Sequence, residues 1–384
     1  MTTRLTNTGD LELLEFAAEG PDRVENQLQR FALPYRHFIR SLTCCSKRME
    51  DLLFSFPGLG FALATGYGSI AERAEAFELI DAGQSLKAAA EAVKLPWWMR
   101  RLPPEAFTEP LRGWTQSAEF ARVIVQHIPE ERQRAMHWFR RVQLALDLAG
   151  EDFALWIAWR TKTAERPRDL NRIVLLGAWA FFSKQKDTLG RRLVSHPFTG
   201  GCGFSRAVEA AHVWKKRADL AVALGSGLPD CWYQGREVCG YLFLPLATVE
   251  DYLREAEAMG NCLDQYGLRV ATGTSRVFSI RKGGRPVANL ELGPHDDDPS
   301  MPAVEQLRGV HNRQVGPDIW QAVYAFLGSE KPRPLPLIAG PDHSQSLATA
   351  KQIWEPFVSQ IGSWHSVAVA RTFFEGGEVF DPKL

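Results

Sequence analysis

The feature that most constrains this chain is a change in the period of its apolar residues near residue 225. From about Asp10 to Leu224, apolar residues recur every three or four positions, the period of a helix that buries one face. After a turn-rich segment, Gly225 to Pro229, short apolar runs surround a Gly-Gly pair. We therefore predict an α+β fold, in which a large all-α N-terminal region precedes a small mixed α/β module with a β-hairpin.

Three short helices are predicted ahead of a Pro-Pro pair. A Ser-x-x-Glu capping box at Ser69 begins a helix that ends at Asp81. Ser85 caps a second helix, Leu86 to Lys94, and a third runs from Trp97 to Leu102. This order resembles a helix-turn-helix, which predicts a possible DNA-binding unit at residues 69–102.

In a helix-turn-helix the last helix enters the major groove, so Arg100 and Arg101 are the nucleic-acid candidates. Trp97 and Trp98 are bulky and apolar, which suits the corner of a core better than a groove. Two interpretations stay open, a helix-turn-helix regulator and ordinary helix packing.

Further helices are predicted along the rest of the N-terminal region: Glu130 to Ala149, Phe153 to Thr161, Leu170 to Lys184 and Ser205 to Ala223. Tryptophans recur among their apolar residues at helical spacing, which favours core filling over stacking on a cofactor or a base.

The module after residue 234 has its own signals. A strand is predicted at Val238 to Leu244, and a capped helix at Thr248 to Met259 that Gly260 ends. The strands Arg276 to Arg281 and Pro286 to Leu292 flank a Gly-Gly turn, which predicts a hairpin at the edge of the module.

Four segments follow from these signals. We expect a helical segment at 1–66, a helical region at 67–234, the α/β module at 235–328, and a Pro-rich linker with a C-terminal tail at 329–384. The tail contains one helix that Pro356 is expected to interrupt.

Several classes of protein are disfavoured by composition. No apolar run reaches the length of a membrane span, and the first residues lack the pattern of a secretory signal, so a cytoplasmic protein without a membrane partner is expected. The six cysteines show no ligand spacing, and His295 with Asp296 to Asp298 is better explained as a solvated turn. We predict neither a metal nor a cofactor.

Charge is balanced overall but uneven along the chain. Residues 97–217 contain 21 Lys plus Arg against 12 Asp plus Glu, whereas residues 218–384 contain 14 against 20. Clustered cations can mark a nucleic-acid face, but this excess is diluted over many helical residues, so a solvated basic surface is the favoured interpretation.

Four motifs in the module resemble those of the PcfJ-like family, whose members are encoded by conjugative plasmids, phages and related mobile elements. The motifs are Phe243-Leu244-Pro245, the stretch from Met259 to Tyr266, Phe278-Ser279-Ile280-Arg281, and the stretch from Gln306 to Asn312. The resemblance covers mainly residues 240–316. The family often has His before the cysteine, where this chain has Asn261, so no role of that histidine is transferred.

The resemblance implies an accessory or adaptor protein of a mobile element, with nucleic acid or a conjugation or phage protein complex as its partner. The expected binding residues are polar residues of the module: Asn261, Gln265, Tyr266, Arg281, Gln306, Arg308 and Asn312. Gln306, Arg308, His311 and Asn312 should either satisfy the backbone around Asn261 and Cys262 or line a small cleft beside them, because such groups are costly to bury unless they are bonded. We favour the cleft, since these side chains offer varied donors for a ligand or partner.

An enzymatic alternative uses Cys262 as a nucleophile and His311 as its base, which would make the chain a cysteine-dependent hydrolase or transferase. Arg308 and Arg313 near His311 disfavour the imidazolium that a thiolate pair needs, and no papain-type signature surrounds the thiol. A structural or binding-site thiol is the simpler interpretation.

Overall fold

Helices begin where the sequence provides capping side chains. The hydroxyl of Ser69 accepts a hydrogen bond from the Glu72 N–H, and the Glu72 carboxylate accepts one from the Ser69 N–H in return. Thr248 and Asp251 make the same reciprocal pair at the start of a later helix. Both predicted capping boxes are confirmed, and each satisfies backbone donors that a helix start leaves open.

The structure is a computed structural model that describes residues 20–161, 170–225, 231–271, 273–335 and 343–361. Its fold class is α+β, as predicted, with helices throughout and a five-stranded antiparallel sheet in the C-terminal part. The chain divides into two compact units, residues 1–173 and 174–384. This division differs from the predicted boundaries at 66, 234 and 328.

The first unit is built from short helices around an aromatic core. Its α-helices are α1 (Gly20–Gln29), α2 (Arg36–Thr43), α3 (Lys47–Ser55), α4 (Pro57–Ala64), α5 (Ile70–Asp81), α6 (Leu86–Ala92), α7 (Ala118–Ile124), α8 (Arg132–Ala149) and α9 (Glu151–Thr161). Its 3₁₀ helices are Leu33–Tyr35, Trp97–Arg101, Pro104–Ala106 and Val125–His127. Phe107 and Trp114 each contact the ring of Phe139, at centroid distances of 5.5 and 5.3 Å.

The third helix of the proposed helix-turn-helix is a 3₁₀ helix of five residues, Trp97–Arg101, with Trp98 buried. Arg100 Nε donates to the Ser55 carbonyl at 3.1 Å, and its guanidinium lies 5.2 Å from the Trp97 ring centroid. The indole of Trp98 thus fills the core of this unit, and the segment provides no α-helix of a length that could lie in a major groove.

The second unit contains helices that pack in more than one core cluster. They are α11 (Leu189–Arg192), α12 (Phe204–Leu224), α13 (Val249–Met259), α14 (Gly267–Ala271), α15 (Pro317–Gly328) and α16 (His343–Ile361), with 3₁₀ helices at Leu263–Gln265 and Val310–Asn312. Helix α10 (Leu170–Lys184) contains the boundary between the units. Phe182 and Trp354 contact the Trp214 ring at 5.2 and 5.3 Å, which supports the core-filling interpretation of this tryptophan. No described helix is both long and apolar enough to cross a membrane.

The strands pair in sequence order, β1 to β5, and each pair is antiparallel. They are β1 (Arg236–Val238), β2 (Tyr241–Pro245), β3 (Arg276–Lys282), β4 (Arg285–Pro294) and β5 (Pro302–Gly309). The hairpin of β3 and β4 is confirmed, with positive φ at Gly283 and Gly284. Its two strands lie in the middle of the sheet, flanked by β2 and β5, and its turn residues, 282–285, are exposed.

The strand predicted at Val238 to Leu244 is divided by a turn. Cys239 and Gly240 have φ angles of 53° and 76°, and the chain reverses there, so that Val238 pairs with Tyr241. Two successive residues at positive φ form the two-residue turn that joins tightly paired strands. Two short strands therefore replace the single predicted one.

The C-terminal segments are also more closely packed than predicted. Within the expected linker, the Arg333 N–H donates to the Trp232 carbonyl, and Leu335 is buried in the core beneath the sheet. Pro356 lies inside α16 without interrupting it. Buried Ile353 and Phe357 on either side of this proline offset the hydrogen bond that it cannot donate.

The two faces of the sheet differ in chemistry because side chains alternate along a strand. On one face, Phe278, Ile280 and Leu290 form an apolar core with Phe326 of α15. On the other, Ser279 lies opposite Asn289 across β3 and β4, and Asn289 lies opposite Arg308 across β4 and β5. The second face carries the candidate site.

Candidate functional site

A cleft lies on the polar face of the sheet, between the segment that follows α13 and strands β4 and β5. It encloses about 20 Å³. Its walls are Asn261, Cys262, Leu263, Tyr266, Val277, Asn289, Glu291, Gln306, Arg308 and Asn312. Five of the seven predicted binding residues, together with Cys262, therefore share one cleft.

Gly260 determines how the chain enters this site. It ends α13 in the left-handed region, with φ 59° and ψ 44°. A Cβ at this position would lie 2.3 Å from Nδ1 of His311, so the imidazole packs directly on the glycine. Both the backbone conformation and the close approach require glycine here.

Asn261 forms the next turn and links it to the sheet. Its Oδ1 accepts from the Leu263 N–H at 3.3 Å, and its Nδ2 donates to Oδ1 of Asn289 at 2.8 Å. The first bond is a local side-chain turn of the kind that asparagine favours. The second fixes the Asn261–Cys262 segment against β4.

A buried polar network continues from Asn289 into α13. Asn289 Nδ2 donates to Oε1 of Glu255 at 2.7 Å, and Arg281 Nη2 lies 3.3 Å from the other carboxylate oxygen. Arg281 Nε also donates to the Ser279 hydroxyl. Glu255 is 1% exposed and Asn289 is 6% exposed, so each needs these partners to offset the loss of water.

A second network surrounds Glu291, which is also buried. Its carboxylate accepts from the Tyr266 hydroxyl at 3.0 Å and from Arg269 Nη1 at 2.8 Å. Burial, and then the Glu291 carboxylate, raises the pKa of the Tyr266 phenol, which keeps the hydroxyl protonated as a donor. The same carboxylate raises the pKa of Arg269. We call these two sets of bonds the paired network.

The side chains of Gln306, Arg308 and Asn312 form what we call the rim. Within the described ranges, none of the three makes a side-chain hydrogen bond or an ion pair. On β5, Gln306 lies opposite Glu291 and Arg308 lies opposite Asn289. Each of these two unbonded polar groups therefore stands beside a member of the paired network.

Other predicted residues lie away from the cleft walls. Gln265 Oε1 accepts from Lys216 Nζ of α12 at 2.7 Å, and Arg281 lies beneath the cleft against Glu255. Arg100 and Arg101 belong to the first unit. Five of the seven predicted residues thus line one cleft, and the other two make different contacts.

The proposed nucleophile and base differ in their surroundings. Cys262 is exposed and lines the cleft, whereas His311 packs on Gly260 and is not among the cleft walls. Among the described residues, no hydrogen bond joins the thiol to an imidazole. The described part of the chain thus places no imidazole in a hydrogen bond with the thiol, and the enzymatic alternative stays a prediction.

Sequence reasoning missed several members of the paired network, and for two of them, Glu255 and Asn289, the signals were present. Glu255 follows Tyr252 by three positions and precedes Met259 by four, so it lies on the buried stripe of α13. Asn289 alternates with apolar residues along β4. A polar residue at a position whose periodicity demands burial indicates a bonded network.

The His295–Asp298 segment forms a turn in which the Asp297 N–H donates to His295 Nδ1 and Asp298 accepts from Ser300. Among the described residues, no group of three His, Cys, Asp or Glu side chains has the arrangement of a metal site.

The chain matches no family model, and no curated protein or solved structure matches it. The resemblance to the PcfJ-like family therefore stays a prediction.

Proposed function

We propose that this chain is a non-enzymatic accessory or adaptor protein, in the mobile-element context that the PcfJ-like resemblance implies, and that it binds nucleic acid. In this proposal a backbone phosphate of the partner binds at the rim of the cleft. The observation that carries the proposal is the Arg308 guanidinium, which lines the cleft without an ion pair to any described residue.

Charge around the cleft supports an anionic partner. Glu255 is paired with Arg281, and Glu291 is paired with Arg269, so the two carboxylates beneath the rim are neutralised. The positive charge of Arg308 is not neutralised by an ion pair with any described carboxylate. An arginine fork binds phosphate oxygens with two N–H donors, and the amides of Gln306 and Asn312 offer further donors.

The size of the cleft supports a macromolecular partner over an enclosed substrate. Sites for small molecules usually enclose roughly 300 to 1,000 Å³. This cleft encloses about 20 Å³, which is room for about one water-sized group. A projecting phosphate oxygen of a longer ligand fits this volume, because the rest of the ligand stays outside.

The test is binding of fluorescein-labelled single-stranded DNA, duplex DNA and RNA to the full chain, measured by fluorescence anisotropy. Arg308→Gln should weaken binding about fivefold to tenfold, because it removes a charged contact worth roughly 1 kcal/mol or more. Arg285→Gln is the matched control, since Arg285 is an exposed arginine at the hairpin turn of the same sheet. It should bind as the unaltered chain does.

Three outcomes would contradict the proposed phosphate contact at the rim. If the unaltered chain binds none of the three nucleic acids at low salt, the proposed function is wrong. If an acidic peptide competes for Arg308 while nucleic acid does not, the partner of the rim is a protein carboxylate. Equal losses of affinity in both arginine variants would show only a diffuse charge effect, and the cleft would then not be the binding site.

A further inference from the structure

A second cationic group of this unit is buried and has no carboxylate partner among the described residues. Arg276, at the start of β3, is 1% exposed. Its Nη1 donates to the Ser275 carbonyl at 2.8 Å, but Nε and Nη2 have no hydrogen-bond partner among the described residues. No described carboxylate pairs with this guanidinium.

Two hydroxyl groups close to this arginine also lack a hydrogen-bond partner among the described residues. Tyr252 OH and Ser275 Oγ are buried and have no partner in the described part of the chain. Ser275 precedes Arg276, and Tyr252 interacts with it electrostatically. Burial raises the pKa of the Tyr252 phenol, so its hydroxyl stays a donor.

An uncompensated buried cation is costly, and arginine cannot avoid the cost by losing its proton at physiological pH. A water molecule would satisfy a donor but would not neutralise the charge. We propose that a small inorganic anion of the size of chloride binds Arg276 through Nε and Nη2, with the hydroxyls of Tyr252 and Ser275 as further donors.

The test is thermal unfolding of the full chain in chloride-free buffer, titrated with sodium chloride or sodium bromide against sodium gluconate at equal ionic strength. Because an anion that binds only the folded state stabilises it, Tm should rise with halide and saturate, by roughly 3 to 6 °C in total. Gluconate, which is too large for an enclosed site, should give no such rise.

Variants separate this site from the cleft and from other counter-charges. Arg276→Met should abolish the halide response, and Arg308→Gln should retain it. Tyr252→Phe keeps the ring and should raise the half-saturating halide concentration about fivefold, the effect of one lost hydrogen bond. It also keeps the proposal testable if Arg276→Met fails to fold.

Asp230 lies outside the described residues and is tested as an alternative counter-charge with Asp230→Asn. Equal Tm in halide and gluconate at every concentration overturns the proposal. So does a halide response that Tyr252→Phe leaves unchanged. If Asp230→Asn and Arg276→Met are equally destabilised and neither variant nor the unaltered chain responds to halide, a carboxylate of the chain neutralises Arg276 instead.

Discussion

On one face of the sheet, Phe243 and Phe278 pack against Phe326 of α15. The rings of Phe243 and Phe326 stack with centroids 4.2 Å apart. On the other face of the same sheet, Asn289 and Glu291 of β4 are buried with hydrogen bonds to helix α13 and to the segment that follows it. The two faces of one sheet are therefore stabilised in different ways.

The apolar face gains free energy from every contact, without regard to direction. The polar face gains little from its bonds, but it loses heavily when one partner is removed, because the remaining group stays buried. The rim then differs from both faces, since its side chains make no hydrogen bond or ion pair with another described side chain. This difference predicts a graded response to substitution.

The largest effect is expected on the apolar face. Phe326→Ala should destabilise the protein by about 3 to 5 kcal/mol, because it removes a fully buried ring and leaves a cavity. Tyr324→Ala, on the same helix and 67% exposed, should change stability by less than about 1 kcal/mol. Urea unfolding of both variants measures the difference, and equal losses would contradict the assignment of the apolar face.

A smaller effect is expected in the paired network. Glu255→Gln keeps the shape of the side chain but removes the charge that faces Arg281, and should cost about 2 to 3 kcal/mol. Glu257→Gln, on the exposed side of α13, is its control and should be nearly neutral. If urea unfolding gives the same stability for both variants, Glu255 does not need its partners.

The polar face should also weaken at high pH. The pKa of Tyr266 is raised from its ordinary value of 10.0 by burial and then by Glu291. The unfolded chain therefore releases this proton at a lower pH than the folded chain. The stability that results is fully present below about pH 10 and is lost as pH rises through the folded-state pKa.

Unfolding of Tyr266→Phe at about one pH unit below and above 10 tests this direction. The variant should lose less stability across this interval than the unaltered chain does. Tyr324→Phe, at an exposed ring, should behave as the unaltered chain. An identical pH response in all three proteins would remove Tyr266 from the paired network.

The smallest change in stability is expected at the rim. Gln306→Ala should alter the free energy of unfolding by less than about 0.5 kcal/mol while weakening nucleic-acid binding. Asn312→Ala should also weaken binding but should cost about 1 kcal/mol, because Asn312 has a φ of 59°, which alanine disfavours. Asn289→Ala should instead cost about 1 to 3 kcal/mol, because it removes the part-buried and buried hydrogen bonds that Asn289 makes to Asn261 and Glu255. A sharp fall in melting temperature for both rim variants would make these residues structural.

Local signals predicted much of this architecture. The capping boxes, the Gly-Gly hairpin and the glycine that ends α13 depend on a few neighbouring residues, so the sequence is enough to predict them. The cleft was also predictable in part, because Gln306 and Arg308 alternate on one strand and point to one face.

Features that depend on distant contacts were not predictable in this way. The strand division at Cys239 requires a non-glycine residue at positive φ, which the paired strands impose. The helix through Pro356 survives because of tertiary packing by its neighbours. Likewise, Leu220 of α12 shares a core with Tyr252 of the module, so the predicted boundary at residue 234 does not separate two cores.

The most direct test of the account is the salt dependence of nucleic-acid binding by the unaltered chain and by Arg308→Gln. If Arg308 contacts a phosphate, a plot of log K against log salt should lose about one unit of slope in the variant, whereas Arg285→Gln should keep the full slope. The stability of Arg308→Gln should stay within about 0.5 kcal/mol. An unchanged slope with Arg308→Gln, measured on a correctly folded protein, would contradict the phosphate-binding rim.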